Sequence, residues 1–189
     1  FFMKIAIFSD TFLPQINGVA AEVNRAAEML VSRGHEVVVV TAAKKILRDK
    51  NRKFKVINLI SLPSIVYKGE RIGIPTGRAL RAFKADKPDI IHTHTPFGVG
   101  VEAIMVAKKL NIPIVGSHHT FFDDYLKHVY LEYDWAKKAT WKLVVRYYNK
   151  CGLVIIPSQI LAIMLKKHGL KAPVEIVPYC IDTELFFPA

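Results

Sequence analysis

Cysteine is scarce in this sequence. Only Cys151 and Cys180 occur among 189 residues, and each lies in an apolar stretch. A secreted domain held together by disulfides needs a larger, regularly spaced set. We therefore expect two buried free thiols and a cytoplasmic protein.

Long uncharged stretches are also missing. The longest extends from Cys151 to Leu165 and is interrupted by Pro157 and Ser158. A membrane-spanning helix needs about 20 consecutive apolar residues, so this stretch is too short. The sequence predicts no transmembrane segment.

Acidic residues are outnumbered by basic ones, with 16 Asp and Glu against 27 Lys and Arg and a formal net charge of +11. This excess favours an anionic partner, namely nucleic acid, anionic lipid or a phosphorylated substrate. A lysine-rich surface of a heat-adapted protein is the alternative. Because no known RNA- or DNA-binding module is visible, we expect no nucleic-acid partner.

Hydrophobic residues make up 51% of the chain, enough for a sizeable core. Short apolar segments alternate with helical patterns, which predicts right-handed βαβ crossovers and an α/β fold with a doubly wound, parallel, Rossmann-like sheet. The predicted strands are residues 4–8, 36–41, 54–60, 88–92, 111–116, 152–156 and 174–177, and residues 61–77 are predicted as a loop because they are rich in Gly and Pro.

Five helices are predicted. The first two cover residues 19–33 and 76–85, the third ends at Leu110, the fourth ends at about Lys150, and the fifth extends from Ser158 as the N-cap to His168. In the third helix, helical spacing predicts that Val101, Ile104, Met105 and Ala107 face inward. In the fourth, it predicts an inward stripe of Ala136, Ala139, Thr140, Leu143 and Tyr147.

Polar turns follow four of the predicted strands, at residues 10–18, 92–98, 117–124 and 157–158. Ligands of doubly wound sheets bind outside the carboxyl ends of the strands. We therefore expect these turns to meet at one edge and form the site. The G-x-G-x-x-G dinucleotide fingerprint and the G-x-S-x-G nucleophile elbow are both absent.

The first turn ends in Asn17 and Gly18, immediately before a predicted helix. A helix N-terminus carries free N–H groups and partial positive charge, and glycine lets a ligand approach the backbone. The turn is therefore either an anion cradle or an ordinary tight βα connection, and the local pattern favours neither.

Four histidines, His92, His94, His118 and His119, follow two of the strands. Imidazole is a common metal ligand, but no cysteine or paired carboxylate completes a tetrahedral set, so we expect no metal. Neutral histidines that contact hydroxyls or phosphate fit better. A role as core histidines is more plausible for His92 than for His94 or His119.

Four cations, Lys138, Lys142, Arg146 and Lys150, recur every fourth residue along the predicted fourth helix. Like charges at this spacing repel, so local helix stability does not explain them. With Tyr133, Trp135, Trp141 and Tyr148 nearby, the row resembles a surface for acidic lipid headgroups. A solvated helix face is the open alternative.

Several segments together resemble the N-terminal half of retaining GT-B glycosyltransferases of glycosyltransferase family 4, in particular glycolipid synthases that act on diacylglycerol and phosphatidylinositol mannosyltransferases. These segments are FSDTFLPQINGV, RGHEVVVVT, PDIIHTHTPFGVG, NIPIVGSHHTFFDDY, IPS and VPYCID, in this order. The resemblance extends over nearly the whole chain.

The resemblance implies an acceptor-binding domain over residues 3–178, with residues 179–189 beginning a linker to a donor-binding domain beyond this chain. The enzyme would move a hexose from a nucleotide sugar to a lipid acceptor such as diacylglycerol or phosphatidylinositol, at the inner membrane face and without cofactor or metal. A soluble sugar acceptor, or a stand-alone non-catalytic binding domain, remains the alternative. This chain alone is expected to be inactive.

The resemblance also implies residue roles. His119 would contact the transferred sugar, and the N–H group of Gly18 would approach the donor phosphate next to Asn17. The acceptor cleft would be lined by Thr11, Phe12, His94, Thr120 and Tyr125. Two positions depart from the family pattern, because Asn17 and Cys180 stand where glycine is usual.

Overall fold

The computed structural model describes residues 1–43, 51–64, 69–122, 126 and 133–179. Within these residues, seven parallel strands form one sheet in the order β3-β2-β1-β6-β7-β8-β9. The strands are β1 (Lys4–Ser9), β2 (Glu36–Thr41), β3 (Lys55–Asn58), β6 (Ile90–Thr93), β7 (Ile114–Ser117), β8 (Leu153–Ile156) and β9 (Val174–Ile176). The predicted parallel sheet is confirmed.

Helices cover both faces of this sheet. They are α1 (Gly18–Ser32), α2 (Arg78–Ala85), α3 (Gly98–Leu110), α4 (Asp134–Tyr148) and α5 (Gln159–Lys167). The apolar residues of α1 pack with Ile5, Ile7, Val37 and Val39 on one face. The other helices pack with Ala6, Phe8, Ile91 and Val154 on the opposite face. Strand order reverses between β1 and β6, which makes the gap beyond their carboxyl ends the expected ligand crevice.

The prediction of a loop over residues 61–77 was wrong for two short segments. The segments β4 (Ser61–Pro63) and β5 (Arg71–Gly73) pair as an antiparallel hairpin beside the main sheet. Each strand has three residues and one contains proline, so the local sequence carries little strand signal. The hairpin is fixed by a distant contact instead, because the backbone N–H of Gly73 donates to Asp10.

Two predicted helix faces were also partly wrong. In α3, Val101 is 48% exposed, whereas Glu102 is fully buried. In α4, Ala139 and Leu143 are exposed, and the buried residues are Ala136, Trp141, Val144, Val145, Tyr147 and Tyr148. Both helices have apolar residues on adjacent rows, so the spacing alone does not select the row that packs.

Buried Glu102 has a clear structural role. Its carboxylate accepts hydrogen bonds from the backbone N–H groups of Gly77 and Ala79, each at 2.9 Å. Gly77 precedes α2 and offers no side chain to cap it. An acidic group at a helix N-terminus satisfies free N–H groups and complements the helix dipole, so Glu102 of α3 caps α2 from outside.

Cys151 is buried with a free thiol, as expected, and burial raises its pKa to about 12. Cys180 lies outside the described residues. Among the helices that the structure describes, none is both long enough and apolar enough to span a bilayer.

Candidate functional site

The carboxyl ends of β1 and β6 are joined by Asp10, which is 4% exposed. One carboxylate oxygen accepts from the N–H of Gly73 at 2.8 Å, and the other accepts from Oγ1 of Thr95 at 2.7 Å. The N–H of Val99, in the first turn of α3, lies within 3.2 Å of both oxygens. Asp10 therefore binds two strand ends, the hairpin and the start of a helix at one point.

Burial raises the pKa of the Asp10 carboxyl, while the bonds from Thr95 and from the Gly73 and Val99 backbones act in the opposite direction. The carboxylate fills the N-terminus of α3, where an external anion would otherwise bind. A phosphate at this edge would therefore have to bind the N-terminus of a different helix. The first helix N-terminus after Asp10 in the sequence is that of α1.

Close backbone contact also fixes the start of α3. A Cβ atom added to Gly98 would lie 1.6 Å from the carbonyl oxygen of Gly73. Only glycine allows this approach. The α3 terminus is thus closed both by a carboxylate and by the hairpin backbone.

The N-terminus of α1 is more open. Oδ1 of Asn17 accepts from the N–H of Ala20 at 2.8 Å, and its Nδ2 donates to Thr11 and Glu70. Gly18 is exposed, and a Cβ added there would meet nothing within 4 Å. The first-turn N–H groups of a helix lack intrahelical partners, so a ligand oxygen has room to reach the backbone at Gly18.

Phe12 differs from its predicted role. Its side chain has no exposed surface, packs against Phe54 with ring centroids 6.2 Å apart, and lies under the guanidinium of Arg52. It supports the turn from beneath and does not line a cleft. Thr11 is 8% exposed and bonds to Asn17, so it also holds the turn in place.

The histidines at the carboxyl ends of β6 and β7 form a connected group. Nδ1 of His94 lies 2.9 Å from Nε2 of His119, and their rings stack at 5.1 Å. Nδ1 of His119 lies 2.6 Å from the hydroxyl of Tyr179. The ring centroid of His92 lies 4.2 Å from that of His94 with the rings tilted by 41°, and its Nε2 atom bonds to Oγ of Ser117. The expected convergence of the two turns therefore holds at atomic distances.

These imidazoles are held neutral by their surroundings. Burial lowers the pKa of His92 to about 4 and that of His119 to about 3. Burial, with nearby His92 and His119, lowers the pKa of His94 well below its ordinary value. At neutral pH, each ring therefore offers one N–H donor and one acceptor nitrogen.

His118 points away from this group. It is 1% exposed and packs among Phe122, Trp141 and Tyr148, and burial lowers its pKa to about 4. It is a core histidine. His94 is also more deeply buried than His92, which is the reverse of the order that the sequence suggested.

Of the remaining predicted residues, Thr120 is half-buried directly after His119. Tyr125 lies outside the described residues. In the described part of the chain, no three His, Cys, Asp or Glu side chains are grouped so that they could hold a metal ion.

The turns of Gly18 and His119 lie at the same sheet edge. A continuous set of contacts links them, from Asn17 to Thr11, from Asp10 to Thr95, and from His94 to His119. Sequence reasoning did not identify Asp10, Glu70 or Tyr179 as participants. Asp10 directly after an apolar strand was the one available signal, whereas Glu70 and Tyr179 reach the site only through the tertiary fold.

The predicted basic row lies on the surface of α4 and, at Lys150, just beyond its C-terminus. Lys138, Lys142, Arg146 and Lys150 are all exposed. The first three line a groove of about 420 Å³ together with Val145, Asn149 and His168. Of the nearby aromatic residues, Tyr133 and Trp135 are exposed and stack on each other, whereas Trp141 and Tyr148 are buried. Only the first pair is available to a surface partner.

Residues 16–185 match the model of Glycosyltransferase Family 4. The chain belongs to this family. Two relatives named alpha-monoglucosyldiacylglycerol synthase match nearly all of it. The Streptococcus pneumoniae protein is 31% identical over 97% of this chain and 42% of its own length, and the Acholeplasma laidlawii protein is 32% identical over 98% and 48%.

The family 4 chain thus spans less than half the length of these two relatives. Its fold is similar to that of a solved sucrose-phosphate synthase from Thermosynechococcus elongatus, with a TM-score of 0.58 and 16% identity over 96% of this chain and 92% of the other. This likeness confirms the Rossmann-like parallel sheet.

Proposed function

We propose that this chain is the acceptor-binding half of a glycosyltransferase that moves a hexose from a nucleotide sugar to a lipid acceptor such as diacylglycerol or phosphatidylinositol. The observation that carries the proposal is the meeting of an open helix N-terminus at Gly18 and neutral His119 at one sheet edge, in a chain of family 4. Both relatives described above are named for a glucosylated diacylglycerol.

The chemistry fits these groups. During transfer, the bond from the sugar's anomeric carbon to the phosphate oxygen breaks, and the acceptor hydroxyl oxygen bonds to that carbon while its proton passes to the leaving phosphate. The departing phosphate needs N–H donors more than it needs a protein nucleophile. In this proposal, the N–H group at Gly18 approaches the phosphate and His119 holds a sugar hydroxyl. The family resemblance adds retention of the anomeric configuration.

We further propose the division of the molecule. Residues 3–178 bind the acceptor, and residues 179–189 begin the connection to a second domain that binds most of the donor. The relatives' greater length supports this division. The contact between His119 and Tyr179 is consistent with it, because Tyr179 begins the proposed connection and lies against the reacting edge.

The lipid acceptor implies a membrane surface. We place it on the exposed side of α4, where Lys138, Lys142 and Arg146 border one groove and Trp135 and Leu143 are exposed on the adjacent row. Cations beside exposed aromatic and aliphatic groups are typical of helices that lie at anionic interfaces. The proposed location is the cytoplasmic side of the inner membrane, held peripherally.

The direct experiment compares two lengths of the protein. Residues 1–189, and the chain extended past Ala189 by the proposed donor-binding domain, are each incubated with vesicles that contain diacylglycerol and phosphatidylinositol and with UDP-glucose, UDP-galactose or GDP-mannose. We expect the extended chain alone to form glycolipid, with the anomeric proton showing the donor's configuration by NMR. Robust transfer by residues 1–189, or no lipid product from the extended chain, would contradict the proposal.

A further inference from the structure

His119 is held at both of its ring nitrogens. Nε2 faces Nδ1 of His94 at 2.9 Å on the interior side, and Nδ1 faces the hydroxyl of Tyr179 at 2.6 Å on the open side. The rings of His94 and His119 are nearly parallel, at 7°, and those of His119 and Tyr179 are at 16°. The position of one proton on this stack decides what His119 offers to a ligand.

His94, at the interior end of the stack, determines which nitrogen of His119 carries the proton. His94 is 3% exposed, and its Nε2 atom has no hydrogen-bond partner among the described residues. A neutral imidazole carries one N–H, which is either on this isolated atom or on Nδ1 toward His119. Among buried backbone groups, N–H donors without a partner are rarer than under-satisfied acceptors, and we apply the same preference to the imidazole. The proton of His94 therefore belongs on Nδ1, where it donates to His119.

The direction of the remaining bonds follows. Because Nε2 of His119 accepts from His94, the proton of His119 is on Nδ1 and donates to the hydroxyl oxygen of Tyr179. Tyr179 is 47% exposed, so this end of the stack opens toward solvent. His119 thus presents an N–H donor, and not an acceptor nitrogen, on the open side.

We propose that His94 is a positioning residue that fixes His119 as the Nδ1–H tautomer, so that His119 donates a hydrogen bond to an oxygen at the sheet edge. Tyr179 supplies that oxygen in this structure. Resting on the proposed function, the inference assigns the same place to an oxygen of the transferred sugar. It makes His94 a residue that acts through His119 and has no direct contact with the sugar.

Long-range ¹H–¹⁵N NMR of residues 1–189, labelled with ¹⁵N at the histidine rings, tests the tautomer at pH 7. We expect Nδ1 of His119 to be protonated and Nε2 to be unprotonated. His94→Asn keeps an N–H donor near the position of Nδ1 and should preserve this state, whereas His94→Leu removes the donor and should raise the Nε2–H population. Tyr179→Phe is the control at the other end and should leave the tautomer unchanged.

Three results would overturn the inference: an Nε2–H tautomer of His119 in the unmodified chain or in His94→Asn, an unchanged tautomer in a folded His94→Leu variant, or a switch caused by Tyr179→Phe. If His94→Leu does not fold, the unmodified chain, His94→Asn and Tyr179→Phe still test the inference.

In the extended enzyme, His94→Leu should lower kcat about tenfold or more with little change in KM, and His94→Asn should recover most of kcat. An enzyme without transfer activity would refute the proposed function while the NMR result stands on its own.

Discussion

Asp10 and Thr95 exchange two hydrogen bonds across the point where strand order reverses. The N–H of Asp10 donates to Oγ1 of Thr95 at 2.9 Å, and the same hydroxyl donates to the Asp10 carboxylate at 2.7 Å. The carboxylate also accepts from the hairpin and from α3. This pair fixes the edge on which both the Gly18 turn and the histidine stack depend.

Asp10→Asn replaces one carboxylate oxygen by an amide N–H₂ group. The groups that donate to Asp10, from Gly73, Thr95 and Val99, then lose an acceptor. Leaving such buried groups unsatisfied should lower the free energy of unfolding by about 3 kcal/mol, as measured by urea denaturation. Thr95→Val removes only the shared hydroxyl and should cost about 1–2 kcal/mol. If Asp10→Asn unfolded within about 0.5 kcal/mol of the unmodified chain, the central role of Asp10 would be refuted.

Two glycine substitutions separate ligand contact from folding. Gly18→Ala has open space for its Cβ atom, so the melting temperature should be unchanged or higher. In the extended enzyme, however, the added methyl should raise KM for the nucleotide sugar about tenfold, because it obstructs the approach to the backbone. Gly98→Ala is the matched contrast and should destabilise the fold by about 3 kcal/mol or more, because its Cβ would overlap the backbone of Gly73. Unaltered donor kinetics in Gly18→Ala would remove Gly18 from the site.

Stability should fall on acidification because several buried histidines are neutral. Burial lowers the pKa of His118 from 6.5 to about 4, so the unfolded chain binds more protons between these values. Above pH 6.5, His118 therefore does not reduce the free energy of unfolding. As the pH falls toward 4, protonation of this residue in the unfolded chain lowers that free energy by at most about 3 kcal/mol. Urea denaturation at pH 7.5, 6 and 5 measures the slope. His118→Gln should have a shallower slope, and an identical slope would show that His118 does not contribute.

The proposed membrane attachment predicts a specific charge requirement. The unmodified chain should bind vesicles of anionic phospholipid, and the triple variant Lys138→Glu, Lys142→Glu, Arg146→Glu should bind at least about tenfold more weakly in sedimentation assays. The control triple variant is Lys53→Glu, Lys108→Glu, Lys109→Glu. Its three positions are also exposed, it changes the net charge by the same amount, and it should bind the vesicles almost as well as the unmodified chain. Equal losses in both triples would indicate nonspecific electrostatics, and no vesicle binding at all would favour a soluble acceptor.

The sequence was sufficient for the strands and helices that carry strong local patterns. The apolar run at 36–41 and the Ser158 cap of α5 were predicted within a residue of their observed bounds. The β4–β5 hairpin was missed because it depends on Asp10 and on the contact between Gly73 and Gly98. Such long-range contacts leave no periodic pattern in the residues that they organise.

The site shows the same division. Parallel topology placed the turns of His94 and His119 at one edge, but it could not specify that the two rings bond to each other or that Phe12 is buried. Those details depend on side-chain rotamers and on the packing of Arg52 and Phe54 around Phe12. The family resemblance assigned plausible ligand contacts, whereas the structure distinguishes residues that hold the turns from those that face outward.

We propose that His119, at the carboxyl edge of the sheet, acts on the sugar during transfer to a lipid. The most direct measurement is the rate of glycolipid formation by the extended enzyme with His119→Ala, compared with His35→Ala, whose imidazole bonds to the N–H of Met3 at the amino end of β1. We predict that His119→Ala loses about a hundredfold or more in kcat, while His35→Ala stays within a few-fold of the unmodified rate. Wild-type turnover by a folded His119→Ala enzyme would contradict the account.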